Sequence, residues 1–371
     1  MNEYRYLVTL EPLEPYFFGG ERTFNFGNVS QRQRKTYFIR SENVPSQTTL
    51  FGTLRYLILH LNDALYMSDS LRDLHPENRK KAANLVGDES FSYQKEKQQF
   101  GIIKGISPLF LYKDGTMFVK TPNNHKKGCE TYTPFCMEKM PVTTENGTSL
   151  YPSDYSVKDG YGGGYVCLNA KREIISDNHV FGTQVCTGIQ AHRGSVQISE
   201  VEKKESFFKK EYKYLKKGYA FAFIAHLNAE LAEEEKIRTP ITVYMGQGKS
   251  AFRCTIEKTE LCVRHMVQQY LGTGNESHPI VYAASDLKPA GDEFTMPKNT
   301  NFCIADTRVI RNLETKSEGS TYYARLAKSQ HLYKVINSGA VFYTDAELFN
   351  DAHLKMIGMN VMFRLPSKEQ E

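Results

Sequence analysis

Residues 241–258 read ITVYMGQGKSAFRCTIEK. Gly248-Lys249-Ser250 is the tail of a phosphate-cradling P-loop, and the reading of this stretch decides the fold class. The full signature needs a glycine five positions before the last one and a helix after the Ser. Val243 stands at that position, and Gly246 sits too close. Beyond the Ser, Phe252, Cys254 and Ile256 alternate with Arg253, Thr255 and Glu257, which is the period of a strand. Strand, tight glycine turn and strand make a hairpin whose tip carries Lys249 and Arg253. Nucleotide hydrolysis is set aside. What remains is a β-rich chain with phosphate-holding chemistry at a turn.

Outward from this hairpin the pattern stays rich in strands. YRYLVTL (4–10) predicts an opening strand, and FGIIKGISPLFLYKDGTMFVKTP (100–122) predicts two strands around the turn Lys113-Asp114-Gly115. Further strands are expected near 181–190, at GYAFAFIAHL (218–227), and near 279–284, 302–310 and 339–344. The clearest helix is VPSQTTLFGTLRYLILHLNDALYM (44–67), entered at Pro45 and Ser46, with Leu50, Leu54, Leu57, Ile58, Leu61 and Leu65 at helical spacing. Gly52 inside it costs about 1 kcal/mol relative to Ala, which predicts a close approach to its backbone. NAELAEEEKIR (228–238) reads as an acidic helical segment. Residues 68–99 read as a solvated insertion with a short helix. Residues 121–165 are loop-rich and end in DGYGGGY, which places a boundary between halves 1–165 and 166–371. Many strands with one dominant helix per half at most indicate an α+β fold.

At 371 residues the chain is long enough for two domains, and its net charge of +5 permits nucleic-acid binding without arguing for it. The 22 Phe and 23 Tyr, with no Trp, suit half-wet surfaces and stacking on unpaired bases. Seven scattered cysteines, with no C-x-x-C pair, fit a reduced, cytoplasmic protein better than a disulfide scaffold. MNEYRYLVTL lacks the features of a signal peptide, and no apolar run is long enough to span a bilayer. His125, Cys129 and Cys136 are the tightest metal-like grouping, but they match no standard zinc spacing, so no metal or cofactor is expected.

Several segments bear on chemistry. Ser46 opens the helix, where unpaired N–H groups favour an anion, and Arg55 follows on another face. His60 lies on the same helix among leucines. GTQVCTGIQAHRGSV (182–196) places Gly188, His192 and Arg193 together, either as a loop presenting Arg to phosphate or as a plain hairpin turn. VEKKESFFKKEYKYLKKGYAF (201–221) sets seven lysines among Phe207, Phe208, Tyr212 and Tyr214, with glutamates offsetting much of the charge. It reads equally as a path for a single nucleic-acid strand or as an edge strand whose lysines discourage pairing. No G-x-S-x-G, H-E-x-x-H or strand-linked G-x-G-x-x-G is present, and nothing argues for an enzyme.

Seven segments, in order, resemble one family: the Cmr-three-like subunit of type III-B CRISPR effector complexes, in the RAMP superfamily. These are LEPLEPYFFGGERTF, VPSQTTLFGTLRYLIL, KGISPLFLYKDGTMFVKTP, TGIQAHRGSV, GYAFAFIAHL, VYMGQGKSAF and VINSGAVFY. The chain departs from the family pattern at Val335-Ile336-Asn337, at Lys249 and across 121–165. The corresponding Csm-type subunit shares much of the pattern.

The resemblance implies two ferredoxin-like (RRM-like) domains with antiparallel sheets and loop-rich insertions. It implies a non-catalytic subunit that holds the repeat-derived 5′ tag of the guide crRNA. That subunit joins the large polymerase-like subunit to the backbone and small RAMP subunits, meeting target RNA only indirectly. Carried over by position, Ser46, Thr49 and Arg55 would meet tag phosphates. Gly246, Gly248, Lys249, Ser250 and Arg253 would form the glycine loop, and Gly188, His192 and Arg193 would line the same cleft. The alternative within the superfamily is an endoribonuclease that processes the guide precursor, with His60 or His192 as its acid or base.

Overall fold

The computed structural model describes residues 3–25, 36–66, 75–144, 147–189, 207–246, 248–272, 279–289, 300–310, 313–317, 324–328 and 331–366. The expected α+β class with antiparallel sheets is what is found. In chain order the strands of the first part are β1 (Tyr4–Pro12), β2 (Phe18–Asn25), β3 (Thr36–Glu42), β4 (Ile103–Ile106), β5 (Phe110–Lys113) and β6 (Thr116–Lys120). Then come β7 (Met137–Thr144), β8 (Gly147–Pro152), β9 (Tyr165–Cys167), β10 (Ile174–Ile175), β11 (Phe181–Ile189) and β12 (Phe207–Leu215). β13 (Ala220–Leu227), β14 (Ile241–Met245) and β15 (Ser250–Lys258) follow. Helices α1 (Gln47–Leu61) and α2 (Arg79–Val86) precede β4.

A large sheet runs β10-β9-β6-β5-β13-β1-β15-β14, with β4 also paired to β13. The run Phe221–Ala225 shows no polar alternation because β13 is central and covered on both faces. Tyr6, Val8 and Leu10 of β1, with Phe221 and Phe223, pack against Leu50, Leu54, Leu57 and Ile58 of α1. Leu7, Ala222 and Ile224 point the other way, onto the helix Val263–Leu271 and a second sheet. That second sheet orders Thr300–Ile304, Val341–Thr344, Ile280–Ala283 and Met362–Leu365 side by side. The boundary expected at 165 falls on the first residue of β9, and the large sheet takes strands from both sides of it.

A third sheet, β11-β12-β3-β2, is built from two hairpins brought together by a short parallel pairing of β12 with β3. β12 is therefore an interior strand, and the reading of its lysines as edge protection is corrected. Lys209, Lys210 and Lys213 of β12 are not there to keep partners off, because partners are present on both sides.

Residues 75–99 of the expected insertion are not simply solvated. After α2 the chain turns back, and Phe51 of α1 packs edge-on against Phe100 at 4.8 Å while Phe91 and Tyr93 are buried beside it. The segment 121–165 holds a hairpin, β7–β8, that loop composition did not reveal. Of the acidic segment 228–238 only Glu234–Ile237 is helical. The helix Val263–Leu271 was not anticipated; it lacks a side-chain cap, and its buried Val263, Val267 and Leu271 make a sparse stripe.

α1 starts where expected, with Ser46 in extended backbone and its hydroxyl accepting from the Thr49 N–H. The close approach expected at Gly52 is not found among the described residues: no atom lies within 4 Å of the place a Cβ would take. An exposed helical glycine without a neighbour costs backbone entropy for nothing. Gly52→Ala is expected to stabilise the isolated chain by about 1 kcal/mol. Chemical denaturation checks this, and an unchanged or lower midpoint contradicts it.

Candidate nucleic-acid interface

The glycine turn closes the β14–β15 hairpin after the pair Met245–Ser250. Gly246 has φ +77° and Lys249 has φ +50°, and the Lys249 N–H donates to the Gly246 carbonyl at 3.1 Å. Gly246 is required twice over. Its backbone is left-handed, and a Cβ there would fall 2.3 Å from the carbonyl oxygen of Phe17. The turn is thus pressed onto the segment 13–18. That segment is clasped from both sides. Leu13 N–H donates to the Ala251 carbonyl at 2.9 Å, Ala251 N–H donates to Glu14 Oε1 at 2.9 Å, and Tyr16 exchanges backbone hydrogen bonds with Lys213 of β12 at 2.7 and 2.9 Å.

This brings β12 to the turn. Lys210 Nζ lies 3.8 Å from the centre of the Phe17 ring and 4.7 Å from that of Tyr212. The same ammonium lies 3.9 Å from where a Cβ on Gly248 would stand. A cation held over two rings is oriented without being neutralised. Lys213, on the opposite face of β12, is instead paired with Glu211 at 2.7 Å. Among the described residues no carboxylate pairs with Lys210. The corner formed by Phe17, Lys210, Tyr212 and the glycine turn combines cations, close backbone approach and aromatic surface, which is chemistry suited to a phosphodiester chain.

The residues anticipated from sequence divide among several places. Gly246, Gly248 and Lys249 are in the corner. Ser250 is next to them, but its side chain is buried, with Oγ donating to the Pro15 carbonyl at 3.4 Å. Gly188 pairs with Phe208, two residues along from the Cys186–Lys210 pair, and so belongs to the Lys210 face of the sheet. Arg253 belongs to the opposite face of β15 from the buried Phe252 and Cys254, and pairs with Glu11 at 3.5 Å. Ser46 and Thr49 form a hydroxyl cluster with Thr48 at the start of α1. His192 and Arg193 lie outside the described residues.

Arg55 is turned inward. It donates to the Gly87 carbonyl at 3.3 Å, its guanidinium sits over the Phe100 ring, and burial lowers its pKa. It closes the C-terminal end of α2, where a cation is favoured. It stands nine residues, about 13 Å, along α1 from Ser46. His60 lies further on, stacked on Tyr56. His125 is a buried structural residue whose Nδ1 accepts from the Thr133 N–H at 3.1 Å.

Phe17, Lys210 and Tyr212 were absent from the anticipated corner. The signal for Lys210 and Tyr212 was the interleaving of lysines and aromatics in 201–221, which does not say which lysine would meet the turn; Phe17 comes from a distant segment and had none.

The profile of the family described as CRISPR-associated protein (Cas_Cmr3) matches residues 8–286. The chain belongs to the Cas_Cmr3 family. The family resemblance read in the sequence is thereby borne out, although its last segment, VINSGAVFY, lies beyond the matched range. No curated protein matches this Cas_Cmr3 chain. Among solved structures, it is similar to a chain of a cryo-EM structure of the Type III-B Cmr-beta bound to cognate target RNA. The identity is 12% and the TM-score 0.46, covering 96% of each chain. A chain of the same assembly with cognate target RNA and AMPPnP, in state 1, gives 11% identity and a TM-score of 0.45, covering 96% of this chain and 95% of that one. Among the described residues of the Cas_Cmr3 chain no helix is long and apolar enough to cross a membrane.

Proposed function

We propose that this Cas_Cmr3 chain is a non-catalytic, RNA-gripping subunit of a type III-B CRISPR effector complex. It holds the 5′ repeat-derived tag of the crRNA in the corner of Phe17, Lys210, Tyr212 and the glycine turn. It joins the large polymerase-like subunit to the backbone and small RAMP subunits, and meets target RNA only through the guide. One observation carries the reading: the Lys210 ammonium is fixed over two rings beside Gly248, whose missing side chain leaves the backbone of the turn open to close approach. Phosphate contacts made by such groups position a chain, and aromatic surface beside them accommodates unpaired bases. Ser46, Thr49 and Gly188 are secondary contacts along the path. Arg55 is assigned to α2 and Arg253 to the ion pair with Glu11.

The competing reading is guide-precursor cleavage, for which His60 or His192 would act as acid or base. Full-length protein is mixed with guide RNA carrying the native tag and with RNA carrying a scrambled tag. At least tenfold preference for the native tag, with both RNAs intact, is expected. Cleavage that disappears in His192→Ala overturns the non-catalytic reading. Equal affinity for both RNAs reduces the chain to a generic single-strand binder.

A further inference from the structure

The Lys210 face of the third sheet carries one more feature. Gly182 of β11 is paired with Tyr214 of β12. The phenol end of Tyr214 rests on that glycine: a Cβ there would fall 2.0 Å from the ring Cζ, 2.3 Å from the hydroxyl and 2.4 Å from Cε2. The missing side chain is what lets the ring lie down across the strand pair. Tyr214 nonetheless stays 40% exposed, so its outer surface faces solvent. Because alternate residues of a strand share a face, Tyr214 lies on the Lys210 side, about 13 Å along β12.

We propose that Tyr214, laid on Gly182, is a stacking platform for an unpaired nucleobase of the same RNA whose phosphate is held at Lys210. This rests on the RNA-gripping reading above. An aromatic ring supported from beneath by a sheet loses little freedom when a base covers it, and any base offers a π face to it. Charge at Lys210 and the glycine turn holds the backbone; the ring at Tyr214 holds a base further along. The two contacts fall off differently with salt, since only the first releases counterions.

The chain contains no Trp, so Tyr214→Trp installs a single reporter at the platform. The probe is a twelve-nucleotide single-stranded oligo(A), with an abasic ribose-phosphate oligomer of equal charge beside it. Quenching of the introduced indole's emission by oligo(A) and not by the abasic oligomer is expected. Tyr214→Ala is expected to lower oligo(A) affinity about tenfold with the slope of log K against log salt unchanged, while Tyr214→Phe retains the parent affinity. Binding of oligo(A) with unmoved emission, or with Tyr214→Ala and Tyr214→Phe both equal to the parent, overturns the platform and leaves the RNA-gripping reading intact. If the parent chain binds neither oligo(A) nor tagged guide RNA, that reading falls and the platform with it.

Discussion

Gln47→Leu is expected to lower stability by about 3 kcal/mol, more than any other single truncation at the start of α1. Gln47 is buried, and the two N–H groups of its Nε2 are shared among the carbonyls of Ser107, Ile357 and Gly358, at 3.1, 3.2 and 2.9 Å. Its Oε1 accepts from the Leu109 N–H at 3.2 Å. One side chain thus ties the first turn of α1 to the loop after β4 and to a turn near the C-terminus. Leucine has similar volume, so packing is nearly kept, but the two N–H groups shared by three carbonyls and the acceptor of the Leu109 N–H are lost inside the protein. Each buried group left unmade costs about 1–3 kcal/mol, with some relief from entering water. The neighbouring cap, Ser46, is worth only about 1 kcal/mol by comparison. Thermal unfolding of Gln47→Leu beside Ser46→Ala checks this. A Gln47→Leu midpoint no lower than that of Ser46→Ala shows that the buried amide does not hold these segments together.

Lys210→Glu is expected to weaken tag-RNA binding by roughly 10- to 100-fold while the thermal midpoint stays near that of the parent. A charge-assisted contact contributes about 1.5–3 kcal/mol, which corresponds to that range. Lys210 leans on Phe17 and Tyr212 rather than on a buried carboxylate, so its removal leaves no buried charge behind. Removing one phosphate neutralisation also makes log affinity less steep in log salt by about 0.7 for a single strand. Lys249→Ala is expected to give a similar change in slope, since Lys249 sits in the turn itself. Arg253→Ala is expected to leave the slope unchanged, because its side chain is on the other face and engaged with Glu11. Titrations at several salt concentrations set Arg253→Ala apart from the two lysine variants. A parent-like slope in Lys210→Glu removes β12 from the interface.

The hairpin at 241–258 was legible because alternation of Phe252, Cys254 and Ile256 with polar residues leaves only one periodicity. α1 was legible for the same reason, with the Pro45-Ser46 entry fixing its start. The helix Val263–Leu271 escaped notice because a sparse apolar stripe without a cap looks like loop. The inward turn of Arg55 escaped notice for another reason. A helix face is assigned from its neighbours within the helix, whereas Arg55 meets Gly87 and Phe100, which come from a segment packed alongside.

By itself, the order of residues determined the α+β class, the strand–glycine turn–strand at 241–258, the start of α1 and the family. All of these rest on local periodicity, caps and motif order. Only the tertiary structure decided which cation accompanies the glycine turn. Residues 17, 210 and 248 meet because β12 bridges to Tyr16 and the turn presses on Phe17, and such meetings depend on strand pairing between distant segments. Pairing is set by which faces the sheets can bury together, and no local stretch of sequence encodes that choice.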